Sequence, residues 1–119
     1  MEKIYTLSKY GGKHRIVLRK ANYINNGTLA VFMVELVNDD GCEYEENWAC
    51  LTVNIGDSDI FANDTDTAFI DTNNLGIEIV GWLKSNKIAT LTGDIGFSGY
   101  CRYPLVHFSS EVLAEMKTY

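Results

Sequence analysis

The chain has 119 residues, a formal net charge of −6, and a composition of 46% hydrophobic and 22% charged residues. That length suits one domain with one modest core, and the apolar and aromatic content argues against disorder. No apolar run approaches the roughly 20 residues that span a bilayer, and the N-terminal MEKIYTLSKYGGKHR lacks the apolar centre of a secretory signal. The excess of carboxylates also disfavours a phosphate backbone as ligand, so the expectation is a cytoplasmic protein that binds neither membrane nor nucleic acid directly.

Along residues 13–23 the chain alternates and carries β-branched side chains, which predicts a strand; Asn25-Asn26-Gly27 supplies a turn, and residues 28–37 predict a second strand rich in Val, Phe and Leu. Lys13, Arg15 and Arg19 alternate with Val17 and read as a solvated strand face. Asn38-Asp39-Asp40-Gly41 predicts another turn, followed by the acidic stretch CEYEEN and a third strand over 48–55. In that strand Ala49, Leu51, Val53 and Ile55 share one face, the expected core face, and Trp48, Cys50, Thr52 and Asn54 share the other.

Residues 56–66 are polar and acidic and read as a loop, and residues 67–70 as a short fourth strand. A helix is predicted from Asn73 or Asn74 through LGIEIVGWLKSNK, with Leu75, Ile79, Trp82 and Leu83 on one side and Lys84 and Lys87 near its C-terminal end. Gly76 and Gly81 oppose it. Trp82 is its expected core anchor. Then come a strand, IATLT, a glycine-rich turn, GDIGFSG, and a strand, YCRYPLVHF, in which Pro104 predicts an edge or a bulge. Ser109 or Ser110 caps a terminal helix with a stripe of Val112, Leu113 and Met116. The expected fold is α+β: a mostly antiparallel sheet of four to six strands with one main helix and a short C-terminal helix, in a single domain over residues 1–119.

Charge is unevenly distributed along this framework. Residues 21–83 hold no lysine or arginine and twelve carboxylates, whereas six of the ten basic residues precede them. Segregation along the chain predicts segregation in space and an acidic surface for a partner. The carboxylates gather in two predicted loops, 38–47 and 56–66. Asp39, Asp40, Glu43, Glu45, Glu46, Asp57, Asp59, Asp64 and Asp66 are the candidate partner-binding residues, with Tyr44 and Trp48 as aromatic anchors.

No cluster names a reaction. Ser98 in GFSGY lacks the second glycine of a nucleophile elbow, neither histidine has a recognisable partner, and no phosphate-binding glycine motif occurs. The chain is read as a non-enzyme. Cys42, Cys50, Cys101 and His107 supply zinc-type donors, but seven and five intervening residues are not the short knuckle spacing of structural sites. The stretch GDSDIFANDTD lacks the glycine and the bidentate glutamate of a calcium-binding EF-hand. The odd number of cysteines fits free thiols in a reducing compartment. No cofactor is expected, with zinc kept as an alternative.

The segments LTVNI at 51–55, FIDTNN at 69–74 and GFSGYCRYPLVHF at 96–108 resemble the family called domain of unknown function 4313, with Ile70 where that family has valine. The resemblance runs from about Gly27 to Phe108. CEYEEN is longer than the family's usual turn before the tryptophan. The resemblance implies an accessory protein of conjugative transposons and prophages, and it carries over no catalytic residue. By analogy it implies an anti-CRISPR-like inhibitor whose acidic surface engages a basic, nucleic-acid-binding nuclease and blocks nucleic-acid loading. A non-inhibitory scaffold of the transfer machinery and a small zinc-stabilised binding domain stay open as alternatives, and the oligomeric state is left undetermined.

Overall fold

The computed structural model describes residues 3–9, 11–22, 29–53, 66–98 and 100–118. The predicted turn at Asn25-Asn26-Gly27 and most of the predicted 56–66 loop, including Asp57, Asp59 and Asp64, lie outside the described residues.

Strand dominates, in two sheets rather than the one expected. Strands β1 (Tyr5–Lys9), β2 (Gly12–Asn22), β3 (Leu29–Asp39) and β4 (Cys42–Cys50) lie side by side in chain order, each antiparallel to the next. Strands β5 (Thr52–Val53), β6 (Thr67–Ile70), β7 (Ala89–Ser98) and β8 (Cys101–Phe108) form the second sheet in the order β5-β6-β8-β7. Helices α1 (Thr72–Leu75), α2 (Glu78–Ser85) and α3 (Ser110–Glu115) are short, and β9 (Lys117–Thr118) returns to pair in parallel with β2 at Arg19 and Lys20.

Leu51 joins the sheets. It is fully buried; its N–H donates to Val31 O at 2.9 Å, and its carbonyl accepts from Asp71 N at 3.0 Å. Thr52 completes the joint, its buried hydroxyl accepting the Val31 N–H at 3.1 Å. One continuous core then packs Ile16, Leu18, Val31 and Met33 of the first sheet against Ile70, Val106 and Phe108 of the second and Ile79, Leu83 and Val112 of the helices. A smaller cluster of Phe69, Tyr103 and Leu105 covers the other face of the second sheet.

The single predicted helix is two. Asp71, not Asn73 or Asn74, caps α1, with its Oδ1 accepting from Asn74 N at 3.3 Å. The chain then breaks at Gly76, whose φ of 83° and ψ of 157° are backbone angles that side chains exclude. Helix α2 follows with Ile79 and Leu83 buried, and half-buried Trp82 donates its indole N–H to Thr6 O at 2.8 Å while meeting Tyr5 edge to face. Trp82 therefore anchors α2 to β1, a strand with no counterpart among the predicted elements.

Residues 93–98 of the predicted glycine-rich turn are strand. β7 runs on to Ser98, absorbing an irregularity between Leu91 and Ile95 where Gly93 takes φ 97° and the Thr92 hydroxyl accepts the Asp94 N–H. Pro104 lies on β8, which is central over its last residues; the ladder to β6 covers Leu105 to His107, so Pro104 sits where β7 alone is the partner strand among the described residues.

Candidate functional site

Within the acidic stretch 38–47, expected as a loop, Asn38 and Asp39 end β3, Cys42 to Asn47 are part of β4, and Asp40 and Gly41 alone form the turn. Asp40 and Gly41 take φ values of 50° and 84°, the two positive angles of a tight hairpin turn, and Asp39 faces Cys42 across it. The turn returns the chain directly alongside β3. Pairing with β3 then outweighs the weak strand preference of glutamate. Among the described residues β4 has β3 as its one strand partner, and carboxylates on both faces of such an edge discourage further pairing.

Register sorts the predicted site into two faces. Glu43 and Glu45 stand across from Asn38 and Leu36, whereas Tyr44 and Glu46 stand across from Val37 and Glu35. Residues directly opposite share a face. The irregularity at Met33 and Val34 leaves Trp48 on the second of these faces, over the core and with its ring 5.8 Å from that of His14.

Charge is not segregated in space on the first face. β2 lies one strand beyond β3, about 10 Å from β4 at the usual strand spacing and within reach of an arginine. Arg15 Nη2 lies 3.3 Å from Glu43 Oε1, and Arg19 grips Glu45 with both terminal nitrogens, one of them at 2.7 Å from Oε1. The expectation of a separate acidic surface does not hold on this face: across β3, arginines four residues apart on β2 reach glutamates two residues apart on β4. Both spacings are even, which keeps each pair on one face of its strand, and that shared parity is the sequence signal for the pairing.

The Arg19 hydrogen bonds, reinforced by the charges of Arg19 and Lys117, hold the Glu45 carboxyl below its ordinary value. A carboxyl whose folded value is depressed adds stability above its unfolded value and loses that contribution as the pH falls through the lower folded one. In a carbon-detected NMR titration Glu45 is expected to protonate at lower pH than an unpaired glutamate, and Arg19→Gln is expected to move it back up. Titration of Glu45 at the ordinary value in the unaltered chain would show that the pair does not form.

The second face keeps more of its negative charge. Glu46 stands across from Glu35, whose Oε2 is 2.7 Å from His14 Nδ1, while Asp39 and Tyr44 are exposed on the same face toward the turn, Tyr44 at 47%. An open hollow of about 510 Å³, lined mainly by Phe32, Met33, Trp48 and Cys50, lies at the opposite end of β4.

The remaining candidates are elsewhere. Asp66 opens the second sheet, with its carboxylate 2.7 Å from His107 Nε2 and its carbonyl accepting the Phe108 N–H. Cys42 and Cys50 occupy the two ends of one continuous strand, about 26 Å apart at roughly 3.3 Å per residue, so CEYEEN is not the tip of a hairpin that could join them. Cys101 and His107 are likewise separated along β8. Among the described residues no group of three or more histidine, cysteine or acidic side chains is placed to hold a metal ion, and no helix is long and apolar enough to cross a membrane.

A family model described as a domain of unknown function, DUF4313, matches residues 17–119. The chain belongs to the DUF4313 family. The match extends further than the segments that carried the resemblance, taking in most of β2 and all of α3, so the DUF4313 region includes Arg19 as well as Glu45. No match was found among curated proteins or among solved structures.

Proposed function

We propose that this DUF4313 protein acts by binding, without catalysis, and that it presents the Asp39, Tyr44 and Glu46 face of β4 to a basic surface on a protein partner. The observation that carries this reading is the division of charge by register. Glu43 and Glu45 are engaged by Arg15 and Arg19, while Glu46 stands beside another carboxylate next to an exposed tyrosine. Carboxylates with an aromatic side chain among them suit a cationic cleft, where charge speeds encounter and the ring supplies a desolvated contact.

Within the mobile-element setting that the family resemblance implies, the partner is a nucleic-acid-binding nuclease of the host, engaged in the cytoplasm and kept from loading its nucleic acid, in the manner of an anti-CRISPR protein. Immobilised protein incubated with host lysate, with nucleases scored among the retained proteins, tests the reading. Tyr44→Ala with Glu46→Lys is expected to lower retention by about tenfold or more, and rising salt to weaken it steeply. Glu43→Gln with Glu45→Gln, which alters carboxylates already paired, is expected to change it much less. Unchanged retention by the Tyr44 and Glu46 variant would end the assignment of this face.

A further inference from the structure

The far edge of the second sheet carries a different surface. Leu91, Ile95 and Phe97 on β7 are 59%, 53% and 63% exposed, and Tyr100 beyond them is fully exposed. Their cross-strand partners are Val106, Pro104 and Arg102, so the three β7 side chains share one face of the sheet, the face whose inner end holds Val106 and Phe108 in the core. Helix α2 covers that inner end, where Val80 and Lys84 line a hollow with Ala89, Leu91 and Val106. It is too short to cover more. Eight residues of helix span about 12 Å, against about 33 Å for the ten residues of β7.

We propose that this uncovered face is the contact between two copies of the chain, related by a twofold axis. Three observations choose a second copy over another occupant. The face is apolar, and among the described residues its cross-strand positions hold one charge, Arg102 beside Phe97, with Lys84 of α2 at the inner end, too few cations for a nucleic acid or for an acidic partner. Each chain carries a charge of −6, so copies repel through most approaches, whereas the register positions of Leu91, Ile95, Phe97, Pro104 and Val106 add no charge to that repulsion. The size is also suitable. The exposed part of Phe97, an aromatic side chain of roughly 150–250 Å², together with the exposed halves of Leu91 and Ile95, places about 350 Å² of apolar surface on each copy. That is the centre of an interface whose usual extent is about 800 Å² per partner. A twofold contact sets each residue of this patch against the same patch, which suits a surface of one chemical kind. The contact lies on a different sheet from β4 and leaves the Tyr44 and Glu46 face available.

Sedimentation equilibrium of the full chain over a range of micromolar concentrations tests the proposal, with hydrogen exchange of the β7 amides as a second reading that needs no variant. A reversible dimer is expected, with exchange at Ile95 to Phe97 slowing as concentration rises. Phe97→Glu is expected to raise the dimer dissociation constant by about thirtyfold or more with an unchanged circular dichroism spectrum. Glu46→Lys is expected to leave the dimer intact. A monomer at all concentrations would overturn the proposal and assign the face to a partner of another kind. So would a dimer that survives Phe97→Glu, or β7 exchange that is independent of concentration.

Discussion

Replacing Phe108 with alanine is expected to lower the free energy of unfolding by about 3–5 kcal/mol. Phe108 is 0% exposed, stands across from Ala89 in the second sheet, and belongs to the cluster that includes Ile16 and Met33 of the first. Its side chain fills the place where the two sheets and the helices meet, and its backbone N–H is committed to Asp66 O at 2.7 Å, so the surroundings have little freedom to collapse into the space left behind. A domain of this size is stabilised by about 5–15 kcal/mol in all, which would leave the variant only marginally folded. Urea unfolding followed by tryptophan fluorescence, which reports from Trp48 on the first sheet and Trp82 on α2, measures the loss. A change below about 1 kcal/mol would mean that Phe108 does not bridge the two layers.

Leu83→Ala is the second large loss, expected at about 2–5 kcal/mol. Helix α2 has eight residues, one of them Gly81, and a segment that short and that poor in helix propensity does not persist without tertiary contacts. Ile79 and Leu83 are its buried side chains, and Leu83 is 1% exposed. Its removal therefore empties a core position and weakens the docking of the whole helix over Val106. Amide exchange should accelerate throughout Glu78–Ser85 more than in β2 or β3. By contrast Ile77→Ala, at a position 71% exposed and outside the proposed contact, is expected to stay within about 0.5 kcal/mol, which separates packing in the core from apolar character alone.

The legible parts of the fold were those governed by local chemistry. The alternation of β2, the Asp40-Gly41 turn and the apolar run Thr67–Ile70 were read close to their observed bounds. Elements decided by tertiary pairing were not. CEYEEN looks like a loop by composition and becomes a strand because β3 offers it a ladder and β2 offers it arginines. GDIGFSG looks like a turn because of its glycines, yet one of them, Gly93, serves a bulge inside a continuous strand. Gly76 was visible as a weakness in the predicted helix, but its left-handed break and the transfer of the cap to Asp71 depend on how α1 meets the second sheet.

The candidate surface was half legible for the same reason. Counting carboxylates located the acidic segment, but the count is blind to register, and register decides that Glu45 is gripped by Arg19 while Glu46 is not its neighbour on that face. The part of the acidic block on β4 thus has a mixed, internally compensated face backed by a more negative one. The broad negative field inferred from the sequence is correspondingly reduced near β2.

The two-residue turn at Asp40 and Gly41 makes that division sensitive to chain length. One residue inserted there and accommodated by shifting the pairing would turn every side chain of β4 over, moving Tyr44 and Glu46 toward the guanidinium groups and Glu43 and Glu45 away from them. Two inserted residues would preserve the faces. Relatives that differ in length at this hairpin should therefore differ by even numbers wherever the Arg19–Glu45 pair is retained, and an odd difference would mark a relative whose edge strand presents another chemistry altogether.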